Sequence, residues 1–193
     1  MNERKAGLMA VIMIIGCIAI AGAAIADDDE RGERGEHKRG GLLGRRLDVA
    51  PVTNAVYTKE CGSCHFAYQP GLLPARSWKK MMGTLDKHFG DNAELDAETQ
   101  KALTAYLVAN SAETSNYKVS VKILNSIKGD DAPLAISKTA YFTRKHREVP
   151  ARMVKDNAQV KSFAACGKCH TAADKGSYSE HEVNIPGFGK FED

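Results

Sequence analysis

The chain has 193 residues, of which 43% are hydrophobic and 26% are charged. These proportions are ordinary for a globular protein and exclude a chain that is disordered throughout. The formal net charge of +3 at pH 7 is too small to predict binding to nucleic acid, and it indicates no other class of partner. The length is compatible with one domain or with two small ones.

Residues 1–26 are predicted to be an export signal. Arg4 and Lys5 form its positive start, residues 8–21 are apolar, and residues 24–26 have the small-x-small pattern of a cleavage site. The apolar run is short for a membrane span, which needs about 20 residues. We therefore expect cleavage after Ala26 and a periplasmic protein. The alternatives are an uncleaved anchor and lipid attachment at Cys17.

Residues 27–48 contain many charged residues and glycines but few apolar ones, so we expect a disordered spacer there. Ordered structure is predicted to begin near Val49, with a helix that runs to Cys61. A second helix is predicted over Ser77–Phe89, capped by Ser77, because apolar residues recur there at helical spacing. His88 falls on the buried face of that stripe. The capping residue Asp96 begins the next predicted helix, which ends near residues 111–115.

The region after residue 116 has weaker patterns. Apolar and polar residues alternate over Tyr117–Ile127, which indicates a short strand or an extended connector, and a turn follows at Gly129–Pro133. Ser137 or Thr139 is predicted to cap a helix that carries His146 and ends before Pro150. A further helix is predicted over residues 157–165.

Four of the five cysteines lie in two Cys-x-x-Cys-His segments. An even number of cysteines in an exported chain would usually indicate disulfides, but this spacing is the pattern of covalent haem attachment. In each segment two thiols add across the haem vinyl groups, and the adjacent histidine becomes the proximal iron ligand. A metal site or a chance match is the alternative for a single segment, and two copies argue against it. The predicted attachment residues are Cys61, Cys64, Cys166 and Cys169, with His65 and His170 as proximal ligands.

The second axial ligand of each iron separates electron transfer from ligand binding. For the first haem, His88 competes with Met81 and Met82 on the same helical stripe. We predict His88, because a buried histidine needs a polar partner whereas buried methionines usually fill cores. The alternative is a core histidine bonded to a carbonyl. His37 lies in the predicted spacer and is expected to be solvated.

No methionine follows His170, so the ligand opposite it is predicted to come from upstream or to be His181. We predict His146, which lies on a short helix with aromatic residues. The alternative is a surface histidine among basic neighbours. His181 stands between two glutamates and is expected to be more exposed, and Met153 is the remaining methionine candidate.

These motifs resemble the bacterial dihaem cytochrome c family that is encoded beside an oxygen-binding monohaem cytochrome and a membrane cytochrome b. The resemblance covers roughly residues 57–186, and its most distinctive part is Leu72–Trp78. It implies a soluble periplasmic electron carrier with two six-coordinate haems, each bound by two histidines. It also implies a membrane cytochrome b as electron donor and a monohaem cytochrome as acceptor. The other matching segments are Glu60–His65, His88–Gly90 and Cys166–His170.

We therefore predict a mostly α protein with two small helical haem lobes, residues 49–116 and 134–193, joined by a connector over residues 117–133. The predicted function is electron transfer without substrate chemistry, since bis-histidine iron has no free coordination site. No nucleic-acid partner and no substrate pocket are expected. The alternatives are a peroxidase-like haem enzyme and a gas-binding or sensing cytochrome with one open iron. Two-domain cytochromes with His/Met haems are also similar in layout, but no methionine follows His170.

Overall fold

Most of the regular structure in residues 47–191, the part of the chain that the computed structural model describes, is helical. The predicted fold class, mostly α, is confirmed. The only sheet in this part pairs two short antiparallel strands. The α-helices are α1 Ala55–Gly62, α2 Ala75–Met82, α3 Ala97–Ala109, α4 Lys118–Asn125, α5 Ala140–Lys145, α6 Ala151–Val154 and α7 Cys166–Cys169, and the strands are β1 Asn184–Ile185 and β2 Gly189–Lys190.

The predicted export signal, most of the predicted spacer, Cys17 and His37 lie outside the described residues. Within residues 47–191, no helix is both long enough and apolar enough to cross a membrane.

Helices α2 and α3 pack together and form the larger hydrophobic core. Trp78 from α2 and Leu103 and Leu107 from α3 are almost fully buried there, and Tyr57 of α1 joins them. Helix α3 begins where the sequence predicted, because the Asp96 carboxylate accepts a hydrogen bond from the Thr99 amide. This packing places α1, and the first Cys-x-x-Cys-His segment at its end, against the core.

The predicted helix over Ser77–Phe89 is shorter than expected and starts earlier. Pro74 is its N-cap, Ser77 lies inside it fully buried, and the helix ends at Met82, with Gly83 as its C-cap. The apolar stripe continues through a 3₁₀ turn, Leu85–Lys87, so that Leu85 is still buried. His88 follows that turn and is half-buried, rather than lying on a helix face.

The strand or extended connector predicted over residues 117–127 is wrong, because most of these residues, Lys118–Asn125, form α4. Val119 and Ile123, four residues apart, pack with Val49 and Leu72 in a second core, whereas Val121 is 41% exposed. Helical spacing therefore matches the buried residues better than alternation does, and tertiary packing overrides the strand preference of the β-branched residues.

The helix predicted over residues 157–165 is also wrong, because this segment is a series of turns. The Asn157 side chain accepts from the Gln159 amide and donates to the carbonyls of Met153 and Pro186. An asparagine that bonds nearby backbone groups in this way competes with helix formation. The helix with His146 at its end agrees with the prediction, since Thr139 caps α5 through the Phe142 amide.

The start of the described chain is hydrogen-bonded to the segment that follows the second Cys-x-x-Cys-His motif. The amides of Asp48 and Val49 both donate to the Gly176 carbonyl, at 2.9 and 3.1 Å. Gly176 has φ 81°, and a Cβ atom there would collide with the Val49 carbonyl oxygen. The boundaries predicted for two lobes and a connector stay a prediction.

Candidate functional site

The first Cys-x-x-Cys-His segment lies at the C-terminal end of α1. Asn54 caps this helix by accepting from the Tyr57 amide at 2.9 Å, and the Tyr57 hydroxyl donates to the Tyr68 carbonyl at 2.7 Å. The second bond ties the loop that follows His65 back to the helix. Cys61 is half-buried in the last turn, and Cys64 is exposed just beyond it.

His65 is oriented by its own loop. Its Nδ1 atom lies 2.7 Å from the Phe66 carbonyl oxygen. A carbonyl partner requires the proton on Nδ1, which leaves Nε2 with the lone pair that a metal needs. His65 is therefore held in the tautomer of an iron ligand.

His88 faces His65. The centroids of the two imidazole rings are 6.0 Å apart, and the ring planes make an angle of 23°. Burial and the neighbouring His65 lower the pKa of His88. A lowered pKa favours the neutral imidazole, which is the form that binds iron.

The second Cys-x-x-Cys-His segment forms the single-turn helix α7. Burial raises the pKa of the Cys166 thiol to about 11, and it raises the pKa of Cys61 to the same value. The chain after His170 is fixed by Thr171, whose amide and hydroxyl both donate to the Glu182 carbonyl. Burial, together with the neighbouring His146, lowers the pKa of His170 to about 4, so its imidazole is neutral at physiological pH.

His146 faces His170 from the C-terminal end of α5. Their ring centroids are 6.1 Å apart, with an interplanar angle of 74°. The His146 ring stacks on Phe142 at 3.8 Å and meets the edge of Phe163 at 5.9 Å. The Nδ1 atom of His146 is 2.9 Å from the Phe142 carbonyl oxygen, which again leaves Nε2 for a metal.

Both histidine pairs fit a six-coordinate haem iron. Metal–imidazole bonds of about 2.0 Å on opposite sides of one ion place the two ring centroids roughly 6 Å apart. Each pair supplies two donors, and a porphyrin supplies the four in its plane. Among residues 47–191 there is no group of three or more His, Cys, Asp or Glu side chains that could hold a bare metal ion.

The alternative donors that the sequence offered have the following surroundings. Met82 is buried in the core beside Trp78, Met81 packs partly buried against the same core, and Met153 is half-buried in α6. His181 is exposed in the 3₁₀ turn Glu180–Glu182.

Sequence reasoning missed a set of polar and aromatic residues between the two motifs. Tyr68 lies 5.1 Å from the His65 ring, and its hydroxyl donates to the Ala164 carbonyl just before the second motif. Gln69 is fully buried and binds the segment after that motif. Their position directly after a motif was a signal, but their partners lie about a hundred residues away in sequence and could not be identified from spacing.

Comparison with known proteins agrees with this geometry. The family model described as dihaem cytochrome c matches residues 57–178. A dihaem cytochrome c structure from Shewanella baltica is 43% identical, covers 72% of this chain and 98% of its own, and has a TM-score of 0.60. A dihaem cytochrome c from Rhodobacter sphaeroides is 39% identical, covers 67% of this chain and 100% of its own, and also has a TM-score of 0.60.

A second Rhodobacter sphaeroides structure is 37% identical, covers 66% of this chain and 99% of its own, and has a TM-score of 0.53. No curated protein matches the chain. The family model spans well over half of the sequence, and it includes both Cys-x-x-Cys-His segments and both facing histidines. The chain therefore belongs to the dihaem cytochrome c family, as a c-type electron-transfer protein with two covalently bound haem c groups.

Proposed function

We propose that this protein is a periplasmic electron carrier in which each haem iron is bound by two histidines, His65 with His88 and His146 with His170. The observation that carries the proposal is the separation of the imidazole rings. In both pairs the rings are about as far apart as two axial ligands of one metal, and in both the two histidines are separated by a similar length of chain. Two independent pairs at the same spacing are difficult to explain by ordinary packing.

When bound, each haem supplies an iron that gains or loses one electron. The protein residues hold the axial positions and keep them filled. Phe66 and Phe142 accept hydrogen bonds from His65 and His146, so that these two imidazoles stay in the ligand tautomer. Filled axial positions prevent a small molecule from binding the iron, and this property favours a carrier over an enzyme or a gas sensor.

The proposed location rests on residues 1–26, which have the pattern of an export signal. The proposed partners, a membrane cytochrome b as donor and a monohaem cytochrome as acceptor, are those implied by the family. Around the second site, Arg144 and Arg147 are exposed beside His146. Such basic residues would favour the approach of an acidic redox partner.

Carbon monoxide binding to the reduced holoprotein tests the proposal. We expect little spectral change in the wild type and a carbonyl adduct at one haem in either His88→Gly or His146→Gly. His181→Ala is the matched control, because this histidine is exposed and is not one of the proposed ligands. Rapid adduct formation in the wild type would instead support a gas-binding protein or a peroxidase-like enzyme.

A further inference from the structure

Gln69 follows the first haem motif in sequence, but its side chain binds the segment beyond the second one. It is fully buried. Its Nε2 atom donates to the Ala173 carbonyl at 2.5 Å, and its Oε1 atom accepts from the Tyr178 hydroxyl at 2.6 Å. Both partners come shortly after His170 in the chain. A buried amide bonded at both ends is rigid, since either lost bond would leave a polar group without a partner.

Tyr178 lies between Gln69 and His170: it is hydrogen-bonded to Gln69, and its ring packs against His170. The ring centroids of Tyr178 and His170 are 5.3 Å apart, and the planes make an angle of 61°. Tyr178 is held at both ends. Its hydroxyl donates to Gln69, and its backbone amide donates to the Asp48 carboxylate at 2.7 Å. The ring that flanks His170 therefore has little freedom to turn.

The orientation of the His170 ring depends on its neighbouring rings more than the orientation of the His65 ring does. The Nδ1 atom of His65 bonds a carbonyl, and so does that of His146. The Nδ1 atom of His170 is buried and has no hydrogen-bond partner among the described residues. No hydrogen bond at Nδ1 fixes the rotation of the His170 ring about the direction of its metal bond, so the ring contacts must restrict it, and of these Tyr178 is nearer than His146.

We infer that Gln69 is a positioning residue for the second haem, acting through Tyr178 on the plane of the His170 imidazole. The inference rests on the proposed bis-histidine function. It assigns control of the second haem to a residue in the loop of the first. The second haem's spectrum and potential are thereby linked to the conformation of the loop around the first haem.

The test uses Gln69→Leu, Tyr178→Phe and the double variant, each as the holoprotein. The angle between two axial imidazole planes determines the g values of low-spin ferric haem, so electron paramagnetic resonance reports the position of the His170 ring. We expect both single variants to shift the g values and the reduction potential of the second haem and to leave those of the first unchanged. The double variant should shift them no more than Gln69→Leu does, since Gln69→Leu already removes the bond that Tyr178→Phe removes. His88→Met, which changes only the first haem's ligands, identifies which signal belongs to which haem.

Tyr57→Phe is the matched control. It also removes one buried tyrosine hydroxyl that is bonded to the same loop, at the Tyr68 carbonyl, but it keeps the hydrogen bond between Gln69 and Tyr178. We expect it to leave the second haem's signals unchanged. The inference is wrong if neither Gln69→Leu nor Tyr178→Phe shifts the second haem, or if Tyr57→Phe shifts it equally. A wild type that lacks two low-spin bis-histidine signals would contradict the proposed function instead.

Discussion

Phe142 holds His146 through two different contacts at once. The phenyl ring lies against the imidazole, with centroids 3.8 Å apart and planes 11° from parallel, and the Phe142 carbonyl oxygen is 2.9 Å from Nδ1. Because these residues are one helical turn apart in α5, the same turn supplies both contacts. The backbone sets the tautomer of His146, and the side chain sets the plane of its ring.

Replacement of Phe142 separates these two roles. Phe142→Ala keeps the carbonyl but removes the stacked ring, so we expect a less ordered second haem and an unchanged first one. The loss of the stacked pair alone should lower the free energy of unfolding by about 1 kcal/mol, and the lost burial of the part-buried ring lowers it further. Phe89→Ala is the control, since this ring is 66% exposed and meets the edge of His88 at 5.0 Å without stacking. Equal broadening of both haem signals in Phe142→Ala would contradict the prediction.

The two haems should differ in their paramagnetic resonance spectra. The imidazole planes are 23° apart in the first pair and 74° apart in the second. Nearly parallel planes split the iron d orbitals more and give a rhombic spectrum, whereas nearly perpendicular planes give one dominated by a single large g value. We expect both types in equal amounts in the oxidised wild type. Two identical rhombic signals would show that the second pair is not perpendicular.

Both haems should have low, negative reduction potentials, because methionine ligation raises the potential of a cytochrome c and two imidazoles lack that effect. Potentiometry of the wild type measures this, and His88→Met should raise the potential of one haem. Met82→Leu is the control: Met82 is 4% exposed in the core, so its replacement should leave both potentials nearly unchanged. A near-infrared methionine-to-iron band in the wild type would contradict the proposed ligands.

Covalent attachment is tested by mass. The wild type should carry two haems, and His65→Ala or His170→Ala should disrupt one haem and leave the other spectrally recognisable. In each variant, only the haem at the changed motif should be disrupted. A wild-type mass with fewer than two haems would contradict the assignment of both motifs.

The positive φ of Gly176 gives a test of stability with an internal control. Gly176 and Gly189 have nearly the same φ, 81° and 84°, but a Cβ at Gly189 would meet no atom within 4 Å. Gly189→Ala should therefore cost only the backbone strain, about 1 kcal/mol. Gly176→Ala adds a collision with the Val49 carbonyl and should cost clearly more in thermal or denaturant unfolding. Equal losses would show that the contact with Val49 relaxes easily.

The sequence predicted a feature correctly where the residues that form it lie close together in the chain. The haem motifs and the Asp96 and Thr139 caps are short patterns whose partners lie within a few residues, and the structure has the two caps where the sequence placed them. Helix α4 was predicted as a strand or an extended connector because Val119, Val121 and Ile123 alternate with polar residues. Only the packing of Val119 and Ile123 on Val49, which is far away in sequence, decides for a helix.

The same difference between nearby and distant residues applies to the two proposed haem sites. His88 and His146 were predicted as ligands from the few donors in the sequence, and each ring lies about 6 Å from the histidine of a Cys-x-x-Cys-His segment, while the ligand roles stay a prediction. The surroundings that orient those rings could not be predicted. Gln69 bonds Tyr178 across 109 residues, and neither side chain has a sequence pattern that names the other.

The bonds that join residues 48 and 49 to the region of Gly176 impose an order on folding. The Asp48 carboxylate and the Tyr178 amide are 130 residues apart in sequence, so this contact closes a loop that contains nearly the whole described chain. Contacts of such separation form late, because the entropy of loop closure opposes them until other structure has brought the ends together. We therefore expect the local contacts of α1 and of the first Cys-x-x-Cys-His segment to form before the bonds of Asp48 and Val49, and these bonds then close the described part of the chain.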